Sequence, residues 1–208
     1  MNTINNDTNP LFEPDLVTAE AAHQTLHPYY SKIVACPHVA FAAANTLRKA
    51  APEICAPLES LTWANIIHNH MVDYAKRAFA GLAPDIILSS EAGFLIIDFH
   101  AMIKMRFKKL RDNLHPCNIK TGQQQAYEEQ TLYDGAATLV TTGYRVDAAG
   151  LFRDAHIVCW SGSELRWSLR LPDPGEMQQP TTPIPDSPLP VPIVVGKKPK
   201  QNKRKRTS

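Results

Sequence analysis

Apolar and cationic residues alternate strictly through Ile103, Lys104, Met105, Arg106, Phe107 and Lys108. Side chains on a strand point to opposite faces with period two, so the segment predicts a strand with Ile103, Met105 and Phe107 buried and the three cations opposite. A helix would scatter those charges around its axis and expose Phe107. The same period returns over 164–171, where Leu165, Trp167, Leu169 and Leu171 alternate with Glu164, Arg166, Ser168 and Arg170. Upstream the period is that of a helix. Trp63, Ala64, Ile67, Met71, Tyr74, Ala75, Ala78 and Phe79 recur at three-to-four spacing and predict a helix over 60–79. Asn65, Asn69, Asp73, Lys76 and Arg77 fall mostly on its other side, and Gly81 and Pro84 mark its end. Ala-rich segments near 15–27 and 38–50 read as further helices, interrupted by Pro28, Pro37, Pro52 and Pro57, because proline cannot continue a helix interior.

The remaining elements follow from shorter signals. Residues 86–88 and 94–99 read as strands ahead of the cationic one. After a polar loop over 111–120, Thr121 and Gln124 have the spacing of a capping box, which predicts a helix over 122–130. Strands over 138–146, 151–160 and 164–171, with turns at 147–150 and 161–163, make a meander. Helices first and strands afterwards predict an α+β fold, with N-terminal helices packed on one face of an antiparallel β-sheet. The expected organisation is a disordered leader (1–14), a single α+β domain (15–171) and a disordered Pro-rich linker and basic tail (172–208), in which nine residues are proline.

Composition adds bounds rather than chemistry. A chain of 208 residues with 44% hydrophobic and 20% charged residues is globular and long enough for a sizeable core. No apolar run nears the roughly 18 residues of a membrane span, and the polar N-terminus lacks a signal-peptide layout. The expectation is a soluble cytoplasmic protein with no membrane partner. Cys36, Cys55, Cys117 and Cys159 form no C-x-x-C pair and read as dispersed thiols of a reducing compartment. The net charge of +2 is uneven. Residues 172–208 carry seven Lys/Arg against three acids, which leaves −2 on residues 1–171.

Candidate binding residues come from that charge pattern. Lys104, Arg106 and Lys108, with Arg166 and Arg170, would place five cations on one sheet face if their strands lie close. Such a face suits a phosphate backbone, whose condensed counterions the cations displace. The plainer expectation is a solvated face neutralised by Asp98, Glu128 or Glu164. The terminal cluster containing Lys203, Arg204, Lys205 and Arg206 fits nucleic acid or an acidic protein partner.

Catalytic signals are weaker. His68-Asn69-His70 is not a metal pair, since the two histidines point about 200° apart on a helix. His68 lies on the apolar stripe and reads first as a core histidine with a hydrogen-bond partner, second as a catalytic residue. Asp85, Asp98 and Lys104 outline an incomplete nuclease pattern in which His100 occupies the lysine position. Cys36-Pro37-His38 has poor spacing for a metal, and no metal or cofactor is expected.

The set Trp63 to His70, Arg106 to Leu110, Thr121 with Gln125-Ala126, Gln130, and Gly143-Tyr144 resembles a family of largely uncharacterised bacterial proteins of phage-like and other mobile elements. The resemblance spans about residues 60–170. It implies a toxin–antitoxin-like or defence module with a cognate regulator protein as partner, and it supplies no catalytic residues. Trp63 stands where the resemblance implies a basic residue. The expected function is a nonenzymatic binding component that engages nucleic acid or a partner protein through its basic surface and tail. The alternative is an effector enzyme acting on nucleic acid, with His68, Asp98 and Lys104 as candidate residues.

Overall fold

The computed structural model describes residues 15–91, 93–117, 121–133 and 136–173. The leader expected over 1–14 and nearly all of the tail expected over 172–208, including Lys203, Arg204, Lys205 and Arg206, lie outside the described residues. Helix α1 (Ala19–Leu26) starts where the Thr18 hydroxyl accepts the Ala21 N–H at 3.2 Å, an N-cap. A single 3-10 turn, His27–Tyr29, joins it to α2 (Tyr30–Ala50). The short α3 (Pro52–Cys55) precedes α4 (Ser60–Phe79).

The break expected at Pro37 does not occur, because Pro37 lies inside α2. Proline there forfeits one hydrogen bond and costs about 3 kcal/mol in an isolated helix. Tertiary burial outweighs that local penalty. Ile33, Val34, Cys36, Pro37, Ala40, Phe41 and Ala44 are all buried on α2.

The strands are β1 (Ile86–Glu91), β2 (Phe94–Phe99), β3 (Ile103–Lys109), β4 (Thr138–Val146), β5 (Phe152–Ser161) and β6 (Glu164–Arg170), in the sheet order β1-β2-β3-β4-β5-β6. The fold is α+β as expected, but the sheet is mixed. β3 and β4 run parallel, with Ile103 opposite Thr138 and Lys109 opposite Tyr144, while every other neighbouring pair is antiparallel. A parallel pair needs a crossover connection. Here α5 (Gly122–Glu128) supplies it, capped by Thr121 Oγ1 accepting the Gln124 N–H at 3.2 Å.

The two faces of the sheet are covered differently. The N-terminal helices cover one, where Ile33, Phe41, Ile67, Met71 and Phe79 pack with Ile97, Phe99, Met105, Phe107, Tyr144 and Ile157 in the main core. The N-terminal helices cover one face as expected, and the crossover adds a layer on the other. Tyr127 of α5 packs with Ile96 and Leu139 in a second, smaller core on the opposite face. The Gln130 side chain anchors this layer. It donates to the carbonyls of Leu139 (2.9 Å) and Trp160 (2.7 Å) and accepts the Leu139 N–H (2.7 Å).

Candidate functional site

The crossover lands on the cationic stripe of β3, and each cation meets an aromatic ring. Lys104 Nζ lies 4.2 Å from the Tyr133 ring, Arg106 stacks 3.5 Å from Tyr127, and Lys108 Nζ lies 4.2 Å from Phe94. Rings carry a negative face, so this is favourable contact for desolvated cations. Lys104 also reaches Asp98 Oδ2 at 3.9 Å across the β2–β3 pair. The expected solvated face is corrected at Arg106, whereas the expected acids do stand beside the cations: Asp98 by Lys104, and Glu164 with its Oε2 3.5 Å from Arg166 Nη1. Arg106 is only 2% exposed and cannot meet a phosphate backbone. Its Nε points at Thr141 Oγ1 at 3.4 Å. Arg166 and Arg170 sit on β6, which β4 and β5 separate from β3 by about 14 Å at ordinary strand spacing. The five cations do not form one patch.

Of the catalytic candidates, Asp98 and Lys104 lie together and His68 stands apart from them. Asp98 Oδ1 accepts the Ala101 N–H at 3.0 Å in the β2–β3 turn, and its other oxygen faces Lys104. His68 lies near Lys108, and Lys108 stands four residues along β3 from Lys104, about 13 Å at the rise of a strand. His100 turns toward Tyr29, its Nε2 3.2 Å from the hydroxyl. Cys36 donates to the Lys32 carbonyl at 3.2 Å, and burial pushes its thiol up to about 12. His38 stacks on Phe152 at 4.4 Å.

His68 also departs from its expected place. It is half-buried and lines a cleft instead of lying in the core, and its ring makes no hydrogen bond among the described residues. The cleft, of about 490 Å³, opens between the first turns of α4 and the C-terminal end of β3. Ser60, Ala64, Asn65 and His68 form one stripe of α4, since residues three or four apart are neighbours on a helix. Opposite them stand Lys108, Lys109, Cys117 and Phe94. A second hollow, of about 580 Å³, adjoins it through Ser60, Ala64, Lys109 and Tyr144. Its further walls are Trp63, Ile67, Val146, Ala148 and Arg48. The Arg48 guanidinium lies 4.1 Å from the Trp63 ring. Among the described residues no Asp or Glu lines either hollow.

The electrostatics follow from this geometry. Burial, with Arg106 nearby, pushes the Lys108 ammonium down to about 8. Burial and the adjacent Lys108 charge lower His68, so its ring is neutral at neutral pH. It offers one donor and one acceptor there, without adding a charge. Lysine loses its charge as pH rises through its own value. The affinity of any anion held by Lys108, at constant ionic strength, is therefore expected to hold to pH 7 and to fall above pH 8, by up to about tenfold per pH unit. Lys108→Arg should flatten the profile. An unchanged profile in the parent chain would remove Lys108 from the site.

Only His68 and Lys108 of this cleft are visible as candidates in the linear pattern. Lys109 follows the last alternating position, Arg48 lies on another helix, and Asn65 reads from periodicity as an outward residue. Among the described residues, no helix is long and apolar enough to cross a membrane. Comparison of the chain with protein-family models, curated proteins and solved structures finds no match.

Proposed function

We propose that the chain is a nonenzymatic binding component that engages single-stranded nucleic acid through phosphate contacts in the cleft between α4 and β3. One observation carries this reading: Lys108, Lys109 and Arg48 line two adjoining hollows that no described carboxylate enters. Cations without carboxylate partners bind phosphate by releasing counterions. A concavity of this size admits a strand's phosphate and sugar, whereas a duplex needs a broader cationic surface, and Arg106 in the middle of the β3 stripe is covered by Tyr127. The terminal cluster with Lys203, Arg204, Lys205 and Arg206 would add nonspecific attraction. The setting we propose is cytoplasmic and follows the resemblance: a phage or other mobile element, within a toxin–antitoxin-like or defence module, with a cognate regulator protein as second partner. The separation of His68 from Asp98 and Lys104 favours binding over the effector-enzyme alternative.

Salt dependence tests the reading. Oligonucleotide affinity of the full chain should fall with salt, and Lys108→Ala/Lys109→Ala should reduce the log–log slope by about 1.4, at about 0.7 per single-strand phosphate contact. Lys104→Ala should leave the slope unchanged. Loss of binding only on neutralising residues 203–206 would sink the cleft, and a full chain with no affinity would sink the whole proposal.

A further inference from the structure

We infer that the cleft receives a phosphorylated end of a nucleic-acid single strand, holding the terminal phosphomonoester against Lys108 and Lys109 and the adjoining nucleoside against Trp63. This rests on the phosphate-binding reading above and names the form of strand that satisfies it. Charge balance is the first argument. The lobe beneath α4 contains two ammonium groups, Lys108 and Lys109, and no described acid. An internal phosphodiester brings one negative charge, whereas a terminal monoester carries about −1.5 to −2 at neutral pH and three acceptor oxygens. The remaining lining suits those oxygens. Ser60, Asn65 and the neutral His68 offer uncharged donors. The first turn of α4 has no side-chain cap and leaves its backbone N–H groups open.

The second argument is shape. The adjoining hollow changes character, from polar and cationic to aromatic and aliphatic, with Trp63, Ile67, Val146 and Ala148 in its walls. Lys109 belongs to both hollows, so a ligand seated there has its charged group on one side and a flat apolar group on the other. That is the layout of a nucleotide, whose base stacks on an aromatic ring or an Arg plane. Arg48 covers one face of Trp63, 4.1 Å from the ring, and both side chains line the hollow.

The test compares oligonucleotides of one sequence bearing a 5′-phosphate, a 3′-phosphate or hydroxyls at both ends, together with a phosphoserine peptide, all against the full chain. One phosphorylated form should bind at least about tenfold tighter than the hydroxyl form, which also tells which end is read. The advantage should vanish in Lys109→Gln, whose half-buried site tolerates the change, and in Lys108→Met, with thermal melts showing that both remain folded. Trp63→Phe should remove ligand-induced quenching of tryptophan fluorescence. Equal binding of all three oligonucleotides, weakened alike by the lysine variants, would overturn the end-specific inference while keeping the phosphate-binding function. No oligonucleotide binding at all would overturn both. A phosphoserine peptide that binds as tightly as the phosphorylated strand would overturn the choice of nucleic acid.

Discussion

Gly143→Ala is expected to destabilise the domain by about 3 kcal/mol or more, the upper range for forcing an atom into a packed site. Gly143 lies inside β4, opposite Lys108 on β3 and His156 on β5. After β3 the chain turns back, with Leu110 bridged to Pro116, and the Leu110 side chain lies over Gly143. A β-carbon there would collide with Leu110 Cγ and sit 2.5 Å from the Lys108 carbonyl oxygen. A side chain could move aside, but the carbonyl belongs to the strand and cannot. Leu110→Ala should therefore fail to rescue Gly143→Ala in a urea titration. Full rescue would show that only the flexible contact matters. The glycine lets β3 and its return loop close on β4, and so it also helps position Lys108 and Lys109.

Tyr127→Ala should cost about 3–5 kcal/mol, the range for truncating a buried aromatic ring. Set against a typical domain stability of roughly 5–15 kcal/mol, this brings the fold close to its limit. The residue has two roles. Its ring covers the Arg106 guanidinium, and its hydroxyl shares its one proton between the carbonyls of Val140 (2.7 Å) and Lys104 (3.0 Å) on the two parallel strands. Tyr127→Phe should retain the first role and lose only about 1 kcal/mol. Arg106 itself is buried with its Nη2 unpartnered among the described residues, so stripping the ring leaves a desolvated charge with little compensation. In a double-mutant cycle, Arg106→Met should recover about 1–2 kcal/mol of the Tyr127→Ala loss. Additive losses would mean that the cation and ring merely adjoin.

Local signals were readable in the sequence, and relations between distant segments were not. Helix α4 occupies the residues its periodicity predicts, β4 matches the expected strand, and Thr121 caps α5 as the Thr–Gln spacing implies. Each depends on neighbours in the chain. Pro37 misled because local propensity opposes a helix that burial enforces. The parallel β3–β4 pair escaped because no residue announces which edge a returning strand will join. Alternation places the cationic stripe on its strand but says nothing of what covers it, since Phe94, Tyr127 and Tyr133 come from separate segments. The cleft shows the same division. His68 and Lys108 stood out individually, while their union with Lys109, Trp63 and Arg48 depends on where α2, α4 and β3 meet.

The sheet is two three-stranded meanders, β1–β3 and β4–β6, joined along a single parallel seam. Each meander pairs strands adjacent in the chain, while the seam must wait for the loop over 110–137 to close, and such non-local contacts form late. Until then β3 and β4 are open edges, and β3 presents Ile103, Met105 and Phe107 to any other unfolded copy. Lysines on an exposed strand discourage that pairing, since a second copy would bring like charges together. Lys104, Arg106 and Lys108 thus have the placement of gatekeepers, charges set along a strand whose edge is open until β4 pairs with it.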